Sequence, residues 1–263
     1  MISFHVIGIS VQAPGMQGWE QASEVLSGRA AYEDRGFAAP IPGFLSAIER
    51  RRATPTVNMA LRVAQEAVSA SGLDAASFAT VFASSDGDGV TVDEICDSLS
   101  RAPLDLSPTR FHNSVHNVTA GYWSIATQNR APSTAVCAFD ASFSAGLLEA
   151  ATLCASGESP VLLVAYDLPF PPVLNHVRPL SVPVAVALAL GADLGAASMA
   201  RCSVELEPDA SPTVPEIEGL QAIHASPAGR ALPMLALLAR GRTGTARLEY
   251  LDSCSLAVHI HPL

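Results

Sequence analysis

Several groups of residues in this chain have the types and spacing for chemistry. Asp140 stands where a short apolar run, Ser133 to Phe139, hands over to an Ala- and Leu-rich stretch from Ala141 to Ser156. A strand-to-helix junction of this kind aims the first free N–H groups of the helix at whatever meets it. A carboxylate placed there is a good helix N-cap. It is a poor attacker of thioesters, because its acyl product is a reactive anhydride, so Asp140 reads as a cap. Ser142-Phe143-Ser144-Ala145-Gly146 is half of a GxSxG nucleophile elbow, and with Asp167 and His224 it outlines a serine hydrolase. Against that reading, Ser142 replaces the first glycine and Ser144 falls a full turn into the predicted helix. His112 and His116, flanked by Asn113 and Asn117, are one helical turn apart. No Glu follows the first His as in HExxH and no third ligand stands out, so no metal is expected. Ser84-Ser85-Asp86-Gly87-Asp88-Gly89 lacks both the Lys of a phosphate loop and the late Glu of an EF-hand, and reads as a plain connector. Cys137 falls inside the apolar run and reads as core.

The elements that must position these groups follow from periodicity. Ile2 to Val11 alternates and ends at Ala13-Pro14-Gly15, a strand and turn. Trp19 to Leu26 is a helix stopped at Gly28. Tyr32 to Phe44, broken by Gly36, Pro40, Pro42 and Gly43, is loop. Arg50 to Arg52 reads as the solvated start of a helix. Thr56 to Ser71 is the clearest amphipathic helix, with Val57, Ala60, Leu61, Ala64, Ala67 and Val68 on one face and Gly72 closing it. Thr80 to Ser84 is a strand. Thr91 to Ser100 is a helix with Val92, Ile95 and Leu99 on one side. Phe111 to Thr127 carries Val115, Val118, Tyr122 and Ile125 at helical spacing and reads as one helix up to Asn129-Arg130-Ala131-Pro132. Ser133 to Phe139 reads as a buried strand and Ala141 to Ser156 as a helix ended by Gly157. Pro160 to Tyr166 and Val184 to Gly191 are apolar strands, with Arg201 to Leu206 expected to pair with the latter. Asp167 to Pro183 is Pro-rich and irregular. Ala231 to Arg240 is a short helix, and Ala246 to Tyr250 and Ser255 to Ile260 are closing strands around Asp252-Ser253. The alternation predicts a mostly parallel sheet with helices on both faces.

Composition narrows the function classes. The 263 residues are 49% hydrophobic and only 15% charged, which favours an oligomer or a permanent partner. A net charge of −10, with no basic run beyond Arg50-Arg51-Arg52, argues against nucleic acid as ligand. Those arginines could meet an acidic protein face. The five Cys are scattered with no CxxC, as in a reduced cytoplasmic protein. The opening MISFHVIGISVQAPG has no cationic region and reads as a first strand rather than a signal peptide. Pro183 to Leu194 is too short to span a bilayer, so no membrane span is expected.

Taken in order, the residues resemble the β-ketoacyl synthases of the thiolase fold. The opening strand and GWEQASEVLSGR, the helix ending EAVSASGLD with TVFASSDGDG after it, Ser107-Pro108, Ala120-Gly121 within a helix, Pro132, the Asp140 helix and GESPVLLVA match that family's first half over about residues 1 to 190. The resemblance implies an α/β, thiolase-like layered (αβαβα) fold: one domain over residues 1–263, with a complete N-terminal half to residue 170 and a shortened half from 171. Counted without gaps from Pro132, the family's reactive Cys falls on Asp140. The family's Thr-His-Gly-Thr-Gly-Thr and Asn-Ser-Phe-Gly loops are missing, and no catalytic role passes to His259 or His261.

A synthase without its nucleophile resembles a chain-length factor, the non-catalytic half of a ketoacyl synthase heterodimer. The stretch Phe-His-Asn-Ser-Val-His-Asn is most similar to the factors of aryl-polyene pathways, although better-known factors carry Gln rather than Asp at the nucleophile position. The resemblance implies a β-ketoacyl-ACP synthase partner, an acyl carrier protein, no cofactor and no metal. It implies an acyl-tunnel and partner interface formed by His112, Asn113, Val115, His116, Asn117, Phe139 and Asp140. The alternatives are an autonomous ketoacyl-synthase-like acyltransferase and the Ser144 hydrolase.

Overall fold

A computed structural model describes residues 1–37, 42–101 and 106–263; Pro40 of the expected loop lies outside the described residues. Strands β1 (Ile2–Ala13) and β2 (Met16–Gln17) turn about Pro14-Gly15. Helix α1 (Trp19–Ser27) stops at Gly28, which takes a left-handed φ of +80° that a Cβ would oppose. Helix α2 (Ala47–Arg52) starts from a Ser46/Glu49 capping box. Arg50 to Arg52 therefore form its last turn, not its start, and there their positive charge complements the helix dipole. Helix α3 (Pro55–Ser71) is capped by the Thr54 hydroxyl, has Pro in its first turn and ends at left-handed Gly72. There follow β3 (Ala79–Ala83), α4 (Gly89–Leu99), α5 (Pro108–Asn113), α6 (Val118–Thr127), β4 (Ser133–Val136), α7 (Ser142–Ser156), β5 (Val161–Asp167), α8 (Pro172–Asn175) and β6 (Val184–Gly191). The chain ends with β7 (Ala200–Pro208), α9 (Gln221–Ala225), α10 (Leu232–Ala239) and the hairpin β8 (Gly244–Leu251) and β9 (Cys254–Pro262).

The strands form one mixed sheet in the order β4-β3-β5-β6-β1-β7-β9-β8, with β2 on β1. Among the described residues, only the pairings of β3 with β4 and β5 are parallel. The mostly parallel sheet expected from the alternation is corrected, because residues 168–183 return beside β5 without a crossover helix, which makes β5 and β6 antiparallel. Strand β7 pairs with β1 and β9 rather than with β6, whose two sides are already taken by β5 and β1.

One face of the sheet is covered by α3 and α6, with Val57, Leu61, Trp123 and Tyr166 in the core. The other is covered by α1, α7 and α10, with Val81, Leu163, Phe143 and Leu147. Val204, Leu248 and Val258 of the last three strands join this second core, and α7 contacts β3, β5 and β8. The α7 layer thus lies between two parts of the sheet, in keeping with a thiolase-like layered α/β fold. Gly146 makes that contact close: a Cβ there would lie 2.9 Å from both Ala83 Cβ and Leu163 Cδ1.

The expected 111–127 helix is two helices. Asn113 donates from its side chain to the Arg52 carbonyl (2.8 Å) and His116 turns inward to the Ser84 carbonyl (3.1 Å), so residues 114–117 leave the helical path. Val118 and Tyr122 are buried while Val115 and Ile125 are exposed, so the predicted stripe is not one face. The apolar side read on 91–100 is likewise not core: Val92 and Leu99 are exposed. Strand β4 is an edge strand with alternating exposure, not a buried one. Cys137 follows it and is exposed, so its reading as core is corrected.

Candidate functional site

Parallel strands β4, β3 and β5 end together at one edge of the molecule. The carboxyl ends of parallel strands are where open α/β sheets place ligands, because the loops leaving them splay apart. After β4 the chain makes a tight 3-10 turn over Phe139–Ala141 before α7. Phe139 takes φ +53°, a left-handed conformation that costs a residue with a Cβ about 1 kcal/mol or more. The strained position of the elbow is thus Phe139, one residue before Asp140.

Asp140 does not cap α7, as its sequence position suggested. No side chain caps that helix, and the Ser142 hydroxyl instead accepts from the Ala138 N–H (3.1 Å) and donates to the Phe139 carbonyl (2.7 Å). The Asp140 carboxylate is turned to Arg178, whose Nη2 lies 2.7 Å from Oδ1, since a full cation at contact outcompetes helix-end dipoles. The Arg178 guanidinium also lies 3.7 Å above the centre of the Phe139 ring and 5.5 Å from that of Phe170.

Below this pair the loop from β3 to α4 carries more than a connector's polar residues. Asp167, at the end of β5 and 1% exposed, accepts from the backbone N–H groups of Ser85 (2.8 Å) and Ala228 (2.9 Å). Burial pushes its pKa up to about 6, opposed by those hydrogen bonds and by Arg178. Burial and the nearby charge of Asp167 push Asp86 up to about 7, again opposed by Arg178. Asp88 caps α4 by accepting from the Thr91 N–H (3.0 Å). The same loop joins the two halves of the predicted site: His116 donates to the Ser84 carbonyl, and the Cys137 thiol donates to the Ser85 carbonyl (3.1 Å).

The residues expected at an interface are divided between two clefts. His112, Val115 and Asn117 line a groove of about 580 Å³ together with Arg52, Tyr122 and Ile125. Asn113 is buried behind it and accepts from the Tyr122 hydroxyl (3.3 Å), while His112 packs edge-on against the Tyr122 ring. His116 belongs to the loop network instead. Phe139 and Asp140 line a second cleft, of about 510 Å³, whose far wall carries Glu249, Tyr250 and Asp252. Exposed Phe111, Val115, Ile125, Val92 and Leu99 lie on α4 to α6 and the turn between α5 and α6.

The Ser144 hydrolase is not assembled. Ser144 is fully buried with no hydrogen-bond partner for its hydroxyl, and Asp167 is bonded to Ser85 and Ala228 rather than to His224. His224 lies in another cleft, with its pKa lowered to about 4 by burial and by Arg230. The glycine of the motif serves α7 packing. Glu205, Glu207 and His259 approach one another closely enough to hold a cation. They are already engaged: Glu207 with Arg247 (2.6 Å), and His259 with Glu205 and Thr245 (2.9 Å each). Sequence reasoning missed Arg178, Asp86 and Asp167 as parts of one site. Their only signal was a lone cation and lone acids at strand ends.

No helix among the described residues is long and apolar enough to cross a membrane. A family model described as β-ketoacyl synthase, N-terminal domain, matches residues 19–248. No curated protein sequence matches the chain. Among solved structures, a ketosynthase (ApeO) in complex with its chain length factor (ApeC) from Xenorhabdus doucetiae is similar over 98% of this chain and 100% of that one, at 22% identity and a TM-score of 0.75. The ishigamide ketosynthase/chain length factor matches over 100% of both chains at 15% identity and a TM-score of 0.73. A type II polyketide acyl-carrier protein in complex with its ketosynthase, AntDE:AntF, matches over 100% of this chain and 99% of that one at 10% identity and a TM-score of 0.76. At these identities the likeness speaks to the fold.

Proposed function

The chain belongs to the β-ketoacyl synthase family, and from that premise we propose that it is a non-catalytic chain-length subunit that pairs with an active β-ketoacyl-ACP synthase. The observation that carries the reading is the elbow. Condensation needs a thiolate there, and this chain offers Asp140, bound to Arg178 at 2.7 Å. The cleft leading to the elbow is lined by Asp140, Glu249 and Asp252, and the nearby cations Arg178 and Arg230 are each paired to one of those acids. Those pairings leave neither cation free for the anionic arm of an acyl carrier, and Asp252 adds a negative charge beside them.

The pairing surface is the side bearing edge strand β4 and helices α4 to α6. An open strand edge with exposed Phe111, Val115 and Ile125 beside it is a liability in a free monomer and an asset in a heterodimer. The 580 Å³ groove with His112, Val115 and Asn117 then completes the partner's acyl tunnel and sets where the growing chain stops. The first two similar structures are ketosynthases with chain length factors, which supports this role. The resemblance of Phe111 to Asn117 to the aryl-polyene factors supports a product of that type. Acyl groups are carried on the partner's Cys and on an acyl carrier protein. Co-expression with candidate synthases tests the reading: a heterodimer that elongates, and loss of elongation without this chain, are expected.

One observation favours a second reading, an autonomous acyltransferase. Cys137 is exposed and lies three residues before Asp140. An acyl adduct on Cys137 of the isolated chain would establish it.

A further inference from the structure

We propose that Arg178 is a positioning residue that bolts the segment 168–183 across this chain's own elbow. The segment carries only a four-residue helix, α8, and exposes Val173 and Val177, so it has little apolar burial of its own. Leu180 is buried and anchors one end, and the Asn175 side chain accepts from the Leu180 N–H (2.8 Å) to close the turn. Phe170 anchors the other end against the start of α4, where a Cβ on Gly89 would meet its ring at 3.3 Å. Between these anchors Arg178 reaches down to the elbow.

Its guanidinium contacts the strained turn in two ways. It pairs with Asp140 and covers the face of the Phe139 ring, with the Phe170 ring beyond. Both partners of the ion pair are shielded, the Arg178 side chain being 21% exposed and that of Asp140 34%. A planar cation between a carboxylate and an aromatic face is held in one orientation, which a flexible ammonium does not reproduce. The approach to position 140 from this side is therefore occupied by the chain itself. The inference rests on the elbow assignment and not on the synthase partner, so it stands or falls separately from the pairing.

Amide hydrogen exchange read by mass spectrometry tests it, on the full chain or on the heterodimer where the chain purifies only in that form. Arg178→Ala is expected to speed exchange of residues 172–180 at least tenfold, with β5 and the middle of α7 within twofold of the parent. Asp140→Asn is expected to reproduce the pattern, and Arg178→Lys to give an intermediate rise. Unchanged exchange over 172–180 in Arg178→Ala overturns the proposal. So does a rise spread equally over β5 and α7, which reports general loosening rather than a released bolt.

Discussion

Replacing Asp167 by asparagine removes a titration that the fold makes unfavourable for the charged form. The Asp167 carboxyl is buried and its pKa stands at about 6, above the ordinary carboxylate value of 3.8. A raised folded-state pKa means that the native state holds a proton the unfolded chain has released. Its stabilising contribution is complete below about pH 4 and is lost as pH rises through 6. A shift of this size corresponds to roughly 2 to 3 kcal/mol across that window, at 1.36 kcal/mol per unit. Asp86, raised to about 7, acts in the same direction and extends the loss toward neutrality. In Asp167→Asn the new amide keeps an acceptor for the Ser85 N–H but turns a donor toward the Ala228 N–H, so the variant is less stable than the parent at pH 4.5. Urea denaturation at intervals from pH 4.5 to 7.5 is the assay. The difference between parent and variant cancels groups that Asp167 does not touch, and it should shrink by roughly 2 kcal/mol as pH rises from 4.5 to 7, with the repulsion between Asp167 and Asp86 adding in the same direction. A difference that is flat or grows with pH refutes the argument that burial, not the two N–H donors, governs this carboxyl.

Gly146→Ala is expected to cost about 1 to 3 kcal/mol in stability, read from the denaturant midpoint, since the new methyl lies 2.9 Å from two β-strand side chains; a gain in stability contradicts the α7 contact. Ser144→Ala should leave stability unchanged or raise it by up to about 1 kcal/mol, because it removes a buried hydroxyl without a partner. The parent should also resist a fluorophosphonate probe, and labelling at Ser144 would restore the hydrolase. In the reconstituted heterodimer, Val115→Phe narrows the 580 Å³ groove and should shift products to shorter chains; an unchanged distribution by mass spectrometry removes the groove from chain-length control.

The parts of the fold legible in the sequence are those set by local chemistry. Gly28, Gly72 and Gly157 end their helices because each takes a positive φ, and the apolar runs of β5 and β6 are buried throughout. The parts that are not legible are set by contacts between distant residues. The break between α5 and α6 is made by bonds from His116 to Ser84 and from Asn113 to Arg52, partners 32 and 61 positions away. An apolar run as short as 133–136 looks the same at a sheet edge as in its centre, so periodicity places β4 and Cys137 too far inward. Asp140 is identifiable as the occupant of the elbow, but its partner is 38 positions downstream in a Pro-rich segment with no periodicity to mark it. The residues expected at an interface stand on two walls rather than one, with the 84–88 loop bonded to His116 on one side and to Cys137 on the other.

On the proposed function, this chain shapes an acyl chain it never carries. Incubating the purified heterodimer, and then this chain alone, with an acyl-loaded carrier protein and mapping covalent adducts by mass spectrometry tests it most directly. Adducts are expected on the partner's cysteine and none on this polypeptide in either sample. An acyl group on this chain, at Asp140, Cys137 or elsewhere, contradicts it.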